Sequence, residues 1–244
     1  MSKPGRPSRR AAAALLLALL GPATAAAMGI RAFVALPLDA GGTVLRLFGE
    51  RNTDQDLDVL TTNLAYGLGT RQALFLGLPY RLSSGSGDRT GDLSLLYRHI
   101  VWQQDRREGT SRLGLLGGAV APTDRDRDAR LQAGAVATCY RGRQELDLDA
   151  LWVEGLDAAP DSARYDIAWQ YRLSPARYPD WGFPSEWDID LELGGRWKQH
   201  DDWVHQATVG LQSVHRRWVL EGAVVRDLNG PQDTRLVLST RFHF

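Results

Sequence analysis

The sequence predicts an all-β fold: a transmembrane antiparallel up-and-down β-barrel of about twelve strands behind a cleaved signal peptide. Three observations carry this reading. The chain starts with a basic and then apolar stretch, the rest alternates apolar and charged residues at period two, and the last strand closes on Phe244.

Lys3, Arg6, Arg9 and Arg10 precede the uncharged run Ala11 to Gly21, and small residues follow from Ala23 to Ala27. Basic region, apolar core and A-x-A-like site in that order describe a secretory leader, with cleavage expected near residues 25–27. The apolar run is too short to span a bilayer comfortably as an anchor helix. Residues 1–27 therefore read as signal peptide and 28–244 as one barrel domain. The leader removes four of the 29 basic residues against 29 acidic ones, leaving about −4 on the mature chain. That charge argues against nucleic acid as a partner, which asks for clustered positive excess.

Cys139 is the only cysteine, so no intrachain disulfide can form. After residue 27 no apolar run reaches the eighteen or so residues a spanning helix needs, so a membrane crossing has to be made by strands closed into a barrel.

Twelve segments of roughly ten residues are separated by Gly, Pro, Asp, Asn and Ser clusters. They fall at 43–51, 57–67, 71–82, 92–103, 111–121, 129–140, 143–154, 163–173, 186–198, 203–213, 217–226 and 234–244. In the seventh, Leu146, Leu148, Ala150 and Trp152 oppose Glu145, Asp147 and Asp149. In the eighth, Tyr165, Ile167, Trp169 and Tyr171 oppose Arg164, Asp166, Gln170 and Arg172. In the ninth, Trp187, Ile189, Leu191, Leu193 and Trp197 oppose Asp188, Asp190, Glu192 and Arg196. One face suits lipid and the other a wet lumen; the core of a soluble β-sandwich would not accept so many charges. Trp152, Tyr171, Trp187, Trp197 and Trp218 stand at segment ends, where interfacial girdles belong.

The fourth segment is less clean. Leu93, Leu95, Tyr97, His99 and Val101 alternate with Leu96, Arg98, Ile100 and Trp102, so both faces are partly apolar and the register is open. If both termini lie in the periplasm, turns near 68–70, 141–142 and 214–216 are short and internal. The stretches 83–91, 122–128, 155–162 and 227–233 are then the longer external loops. The stretches 104–110 and 174–186 break this rule, since both fall on the periplasmic side and are long.

In the last strand, Leu236, Leu238, Thr240, Phe242 and Phe244 alternate with Val237, Ser239, Arg241 and His243. Phe242 and Phe244 resemble the terminal signature by which outer-membrane barrels engage the barrel-assembly machinery, which makes that machinery and outer-membrane lipid the expected partners.

From Thr62 the chain reads TNLAYGLGTRQALFLGLPYR, then TGDLSLLYRHIVW from Thr90 and GLLGGAVAPT ending at Thr123. Tyr66-Gly67-Leu68, Pro79, Gly91-Asp92 with Tyr97, and Pro122-Thr123 resemble the outer-membrane transporter family labelled MetA pathway of phenol degradation. Asp124 stands where that family has Gly. The resemblance implies a bacterial outer-membrane barrel passing small molecules, apolar or aromatic ones among them.

Glu145, Asp147, Asp149, Arg164, Asp166, Arg172, Asp188, Asp190, Glu192, Arg196, Arg235 and Arg241 are the candidate lumen residues. They either set solute preference or pair across strands and fill a narrow bore. His200, Asp201, Asp202 and His205 read as a solvated loop rather than a metal site. A lipid-active, phospholipase-like enzyme would need a Ser with a His base, and Ser213 with His215 or Ser239 with His243 are the only nearby pairs. Neither stands in a catalytic motif. The expected function is a passive outer-membrane channel or transporter for a small-molecule solute, with no cofactor. A lipid-active barrel enzyme and a filled structural barrel are the alternatives.

Overall fold

A computed structural model describes residues 29–84, 88–174 and 185–244; the leader therefore lies outside the described residues. Twelve strands follow one another: β1 (Thr43–Asn52), β2 (Leu57–Gly69), β3 (Gln72–Arg81), β4 (Leu93–Arg106), β5 (Gly109–Ala121), β6 (Arg130–Arg141), β7 (Gln144–Gly155), β8 (Ser162–Arg172), β9 (Glu186–Lys198), β10 (Val204–Val214), β11 (Trp218–Asp227) and β12 (Thr234–His243). Each pairs antiparallel with its sequence neighbours, and β1 closes the barrel against β12. The seam runs from Val44 opposite His243 to Asn52 opposite Arg235, and Phe244 and Thr43 exchange backbone hydrogen bonds of 2.9 and 3.2 Å. Closure leaves no strand edge unpaired, which is what hydrocarbon demands.

Period-two alternation sorts the side chains as expected. Outside stand Leu76, Leu95, Leu115, Leu148, Ile167, Leu193, Val209, Leu220 and Leu238, all exposed, while Asp147, Asp166, Asp190 and Glu221 inside are at most 1% exposed. Exposed leucine all round and buried carboxylate within is the inverse of a soluble protein, and it makes lipid the outer solvent. Leu238, 64% exposed near the middle of β12, gives a direct check. Leu238→Arg should cost about 2–4 kcal/mol of barrel stability in phospholipid, whereas Leu236→Arg, opposite Arg51 near the rim, should cost about 1 kcal/mol or less. Urea titration in vesicles reads the difference.

At the end carrying the start of β1 and the finish of β12, the described turns are tight: 70–71, 107–108, 142–143 and 215–217. The opposite end has the longer connections. The stretch 104–110 is therefore not a long periplasmic loop. β4 runs on to Arg106 and β5 begins at Gly109, so the polar residues of QDRREGT form paired strand ends around Arg107-Glu108. The connection after β8 starts at this same end, but residues 175–184 of the segment expected at 174–186 lie outside the described residues.

The register of β4 is now fixed. Leu96, Arg98 and Ile100 point inward and are 2, 3 and 1% exposed, while Leu93 and Leu95 face out. An irregularity between Ile100 and Trp102 then places Val101 and Trp102 both outside. Its inner face is apolar because it packs against a stretch of chain inside the barrel.

Candidate functional site: the occupied lumen

Residues 29–42 precede β1 and run back through the lumen from the β1-start end. Ile30, Ala32, Val34 and Ala35 are between 0 and 4% exposed there. Sequence reading assigned this stretch nothing, because it has no period and no motif. It is not a strand, so its backbone groups need partners from the lumen wall.

Those partners are the charged side chains. Glu192 accepts from the Arg31 N–H with both oxygens at 3.0 Å, Asp149 from the Phe33 N–H at 2.7 Å, and Thr138 Oγ1 from the Ala35 N–H at 2.8 Å. Arg46 donates to the Ile30 carbonyl at 2.6 Å, and Arg98 donates to the carbonyls of Val34 and Leu36. The Arg31 side chain pairs with Glu50 at 2.5 Å. Acids take the segment's amides and arginines take its carbonyls, a division set by which groups each can serve.

Apolar contacts complete the seat. Phe33 meets Phe75 edge-on at 5.9 Å and lies under Arg164 at 4.7 Å. With Ala35 it packs on Leu96, Ile100, Leu116, Val136 and Leu151. Ile30 packs with Val225, Val237 and Phe48.

Two glycines make room. A Cβ on Gly67 would fall 2.0 Å from the Asp39 carbonyl oxygen, at the turn where Gly41 and Gly42 bond to Gly67 across 2.8 and 2.9 Å. A Cβ on Gly210 would fall 2.1 Å from Ile30 Cδ1. Gly210→Ala should therefore unseat Ile30 and cost about 1–3 kcal/mol by overpacking, with Ile30→Ala restoring stability in the double variant; urea titration of the four proteins reads the coupling.

All twelve candidate lumen residues lie on the inward faces of their strands, but they do not form a ring. Asp166 sits between Arg164 at 3.1 Å and Arg196 at 2.8 Å, and Asp149 lies 3.5 Å from Arg164. Arg172 pairs with Glu186 at 3.2 Å and Arg235 with Asp227. Arg241 and Arg46 both grip Glu221, the latter at 2.8 Å. Asp147 and Asp190 are held by neutral donors instead: Thr138 at 2.5 Å and Gln170 at 3.1 Å for the first, Gln212 at 3.1 Å for the second. Glu145 and Asp188 form no ion pair among the described residues. Arg31, Arg46, Glu50, Arg98 and Glu221 were missed as lumen residues, although their places on the inward alternation of β1, β4 and β11 were a readable signal for all but Arg31.

The motif residues that carry the family resemblance are structural. Gly67 admits the turn at Asp39. Gly91 donates to the Pro79 carbonyl at 2.8 Å, Asp92 binds Arg127 at 2.8 Å, and Thr123 Oγ1 donates to the Gly91 carbonyl at 3.1 Å. They tie loops 83–91 and 122–128 together. In the same loops a shared hydrogen bond, and the charge of Asp124, raise the Asp88 carboxyl, while that bond lowers Asp124.

Outward aromatics collect at both rims. Trp152, Trp197 and Trp203 stack in succession at 5.5 and 6.5 Å at the long-loop end, and Tyr165 donates to or accepts from His205 Nδ1 at 2.8 Å beside them. Trp187 and Trp218 stand at the other rim. Ser213 Oγ lies 3.5 Å from His215 Nε2, but that ring stacks on Trp218 at 3.7 Å, and no carboxylate among the described residues orients it. Ser239 Oγ instead accepts from Arg46 at 2.9 Å, four strand residues from His243 and out of its reach.

The fold is that of bacterial outer-membrane barrels. An outer membrane channel from Pseudomonas putida F1 superposes with a TM-score of 0.56 at 19% identity, covering 86% of this chain and 98% of that one. The β domain of the Bordetella autotransporter BrkA (TM-score 0.42, 15% identity, 84% and 100% covered) and an anion-selective porin from Comamonas acidovorans (0.39, 10%, 83% and 98%) are looser matches. No family model and no curated protein matches the sequence. The chain is thus a twelve-stranded barrel of the outer-membrane type, with its lumen occupied by its own residues 29–38.

Proposed function

We propose that this chain is a passive channel for small solutes in the bacterial outer membrane, held nearly closed by its luminal segment. One observation carries the reading: up to the turn at Asp39 the segment is bound to the wall by side chains and packing, and it joins no strand ladder. It occupies a bore that the twelve strands enclose without it. The charged and amide-bearing wall favours polar solutes over the apolar or aromatic ones that the family resemblance implies. Cleavage of residues 1–27 would leave this segment at the start of the mature chain, free to reach its seat. Phe242 and Phe244 would present the closing strand to the barrel-assembly machinery. The channel reading assigns the chain no catalytic step.

The packed cluster around Ala35, Leu96 and Ile100 favours a second reading, a filled structural barrel. Planar-bilayer recording of the purified, folded chain separates the two. A channel gives small, intermittent conductance steps. A barrel that never conducts, with or without residues 29–36, leaves only the structural reading.

A further inference from the structure

A cavity of about 290 Å³ opens at the short-turn mouth, between the luminal segment and the inner ends of β5 to β9. Its lining carries both charges. Glu145, Gln170, Asp188 and Glu186 supply acceptors and Arg112, Arg143 and Arg172 guanidinium groups, with Leu36 of the luminal segment contributing an apolar wall; Arg172 is committed to Glu186 at 3.2 Å. The first three are 5, 2 and 4% exposed, and each keeps an oxygen without any hydrogen-bond donor: Glu145 Oε1, Gln170 Oε1 and Asp188 Oδ2. Orphaned acceptors on buried side chains, two of them carboxylates, are costly unless something arrives to serve them.

Two of the three arginines lack a close carboxylate among the described residues. Arg143 gives its N–H groups to the carbonyls of Arg172, Leu173 and Ser174, and no carboxylate among the described residues pairs with it. Among the described residues Arg112 pairs with Asp105 alone, at 3.8 Å, and its Nε, like that of Arg172, is unpartnered. The cavity therefore offers three unsatisfied acceptors and two arginines without a close carboxylate, within a volume at the small end of ligand pockets. A simple cation would leave the arginines unserved, and a simple anion would leave the carboxylates so.

We propose that this vestibule binds a small zwitterion of the α-amino acid class, with its ammonium on Glu145, Gln170 and Asp188 and its carboxylate toward Arg112 and Arg143. The assignment deepens the channel reading by naming its solute class and rests on that reading. It places the solute against Leu36, at the inner end of the segment that fills the bore.

Calorimetric titration of the folded, detergent-solubilised full chain tests it with L-serine, ethanolamine and 3-hydroxypropanoate, which carry both charges, the cation alone and the anion alone. Serine should bind at least about tenfold more tightly than either singly charged probe, since each lost charge-assisted hydrogen bond is worth that much. Glu145→Gln with Asp188→Asn should weaken serine by about tenfold or more, while Arg143→Ala should weaken serine and leave ethanolamine unchanged. Retained heat-modifiability on gels shows that the variants are folded. Ethanolamine binding as tightly as serine, no binding of any probe, or serine binding unaffected by the acid substitutions would each overturn the site. Potassium chloride conductance is read on the same protein: conductance without serine binding sinks the site and spares the channel, and serine binding without conductance does the reverse.

Discussion

Deleting residues 29–36 will raise the single-channel conductance of the folded barrel severalfold and make it steady. The deletion removes Ile30, Phe33 and Ala35 from the bore and leaves the turn at Asp39 and the β1–β12 seam in place. It also frees Glu192, Asp149 and Arg98 from the backbone groups they serve, so a wall of partnered charges becomes a wall of hydrated ones. Water can satisfy these groups once it enters, so the barrel should survive the loss. A point variant reports the same event more gently. Arg98→Ala abandons the carbonyls of Val34 and Leu36 at a cost of about 1–3 kcal/mol each if they stay buried, which should shift the segment toward an unseated state and give longer openings. Unchanged conductance in the deletion would mean that the strands themselves constrict the bore.

Glu221→Ala should be the most destabilising single substitution in the wall. Glu221 is fully buried and receives Arg46 on one side and Arg241 on the other, the latter 1% exposed. Removing the carboxylate leaves two guanidinium groups facing each other without a counter-charge, and breaking a buried ion pair this way costs about 3–5 kcal/mol. Glu221→Gln keeps the shape and two acceptor lone pairs, so its loss should be smaller but of the same sign. The urea midpoint of vesicle-folded protein measures both. A loss no larger than that of an outward leucine would show that water already screens the triad.

The strand plan was legible because lipid outside and charge inside impose opposite chemistry on successive residues, and β7, β8 and β9 spell it without interruption. The observed strands fall within three residues of the expected bounds. β4 defeated the same rule for a physical reason: Leu96 and Ile100 face neither lipid nor water but Phe33 and Ala35, so its inner face is apolar too. The two arrangements weighed for the lumen charges were selectivity and cross-strand pairing. Asp166 pairs across strands with Arg196 and along its own strand with Arg164, yet Glu192 and Asp149 do something alternation could not announce, holding amides more than a hundred residues away. A segment without period, whose every partner is remote in sequence, carries no local signal of its place. The polar ends of β4 and β5 were read as a loop because exposed Gln104, Asp105 and Arg106 look like one, although they still pair with Ser111, Thr110 and Gly109.

The turn at Asp39–Gly42 pins the luminal segment to Gly67 at the same mouth through which it passes in. A stopper leashed at its own doorway can back out without any of the twelve strands parting, and only toward the side with the short turns. Opening by this route would leave barrel integrity untouched. On the channel reading, the bore would be cleared and refilled with the wall, and the membrane it seals, unchanged.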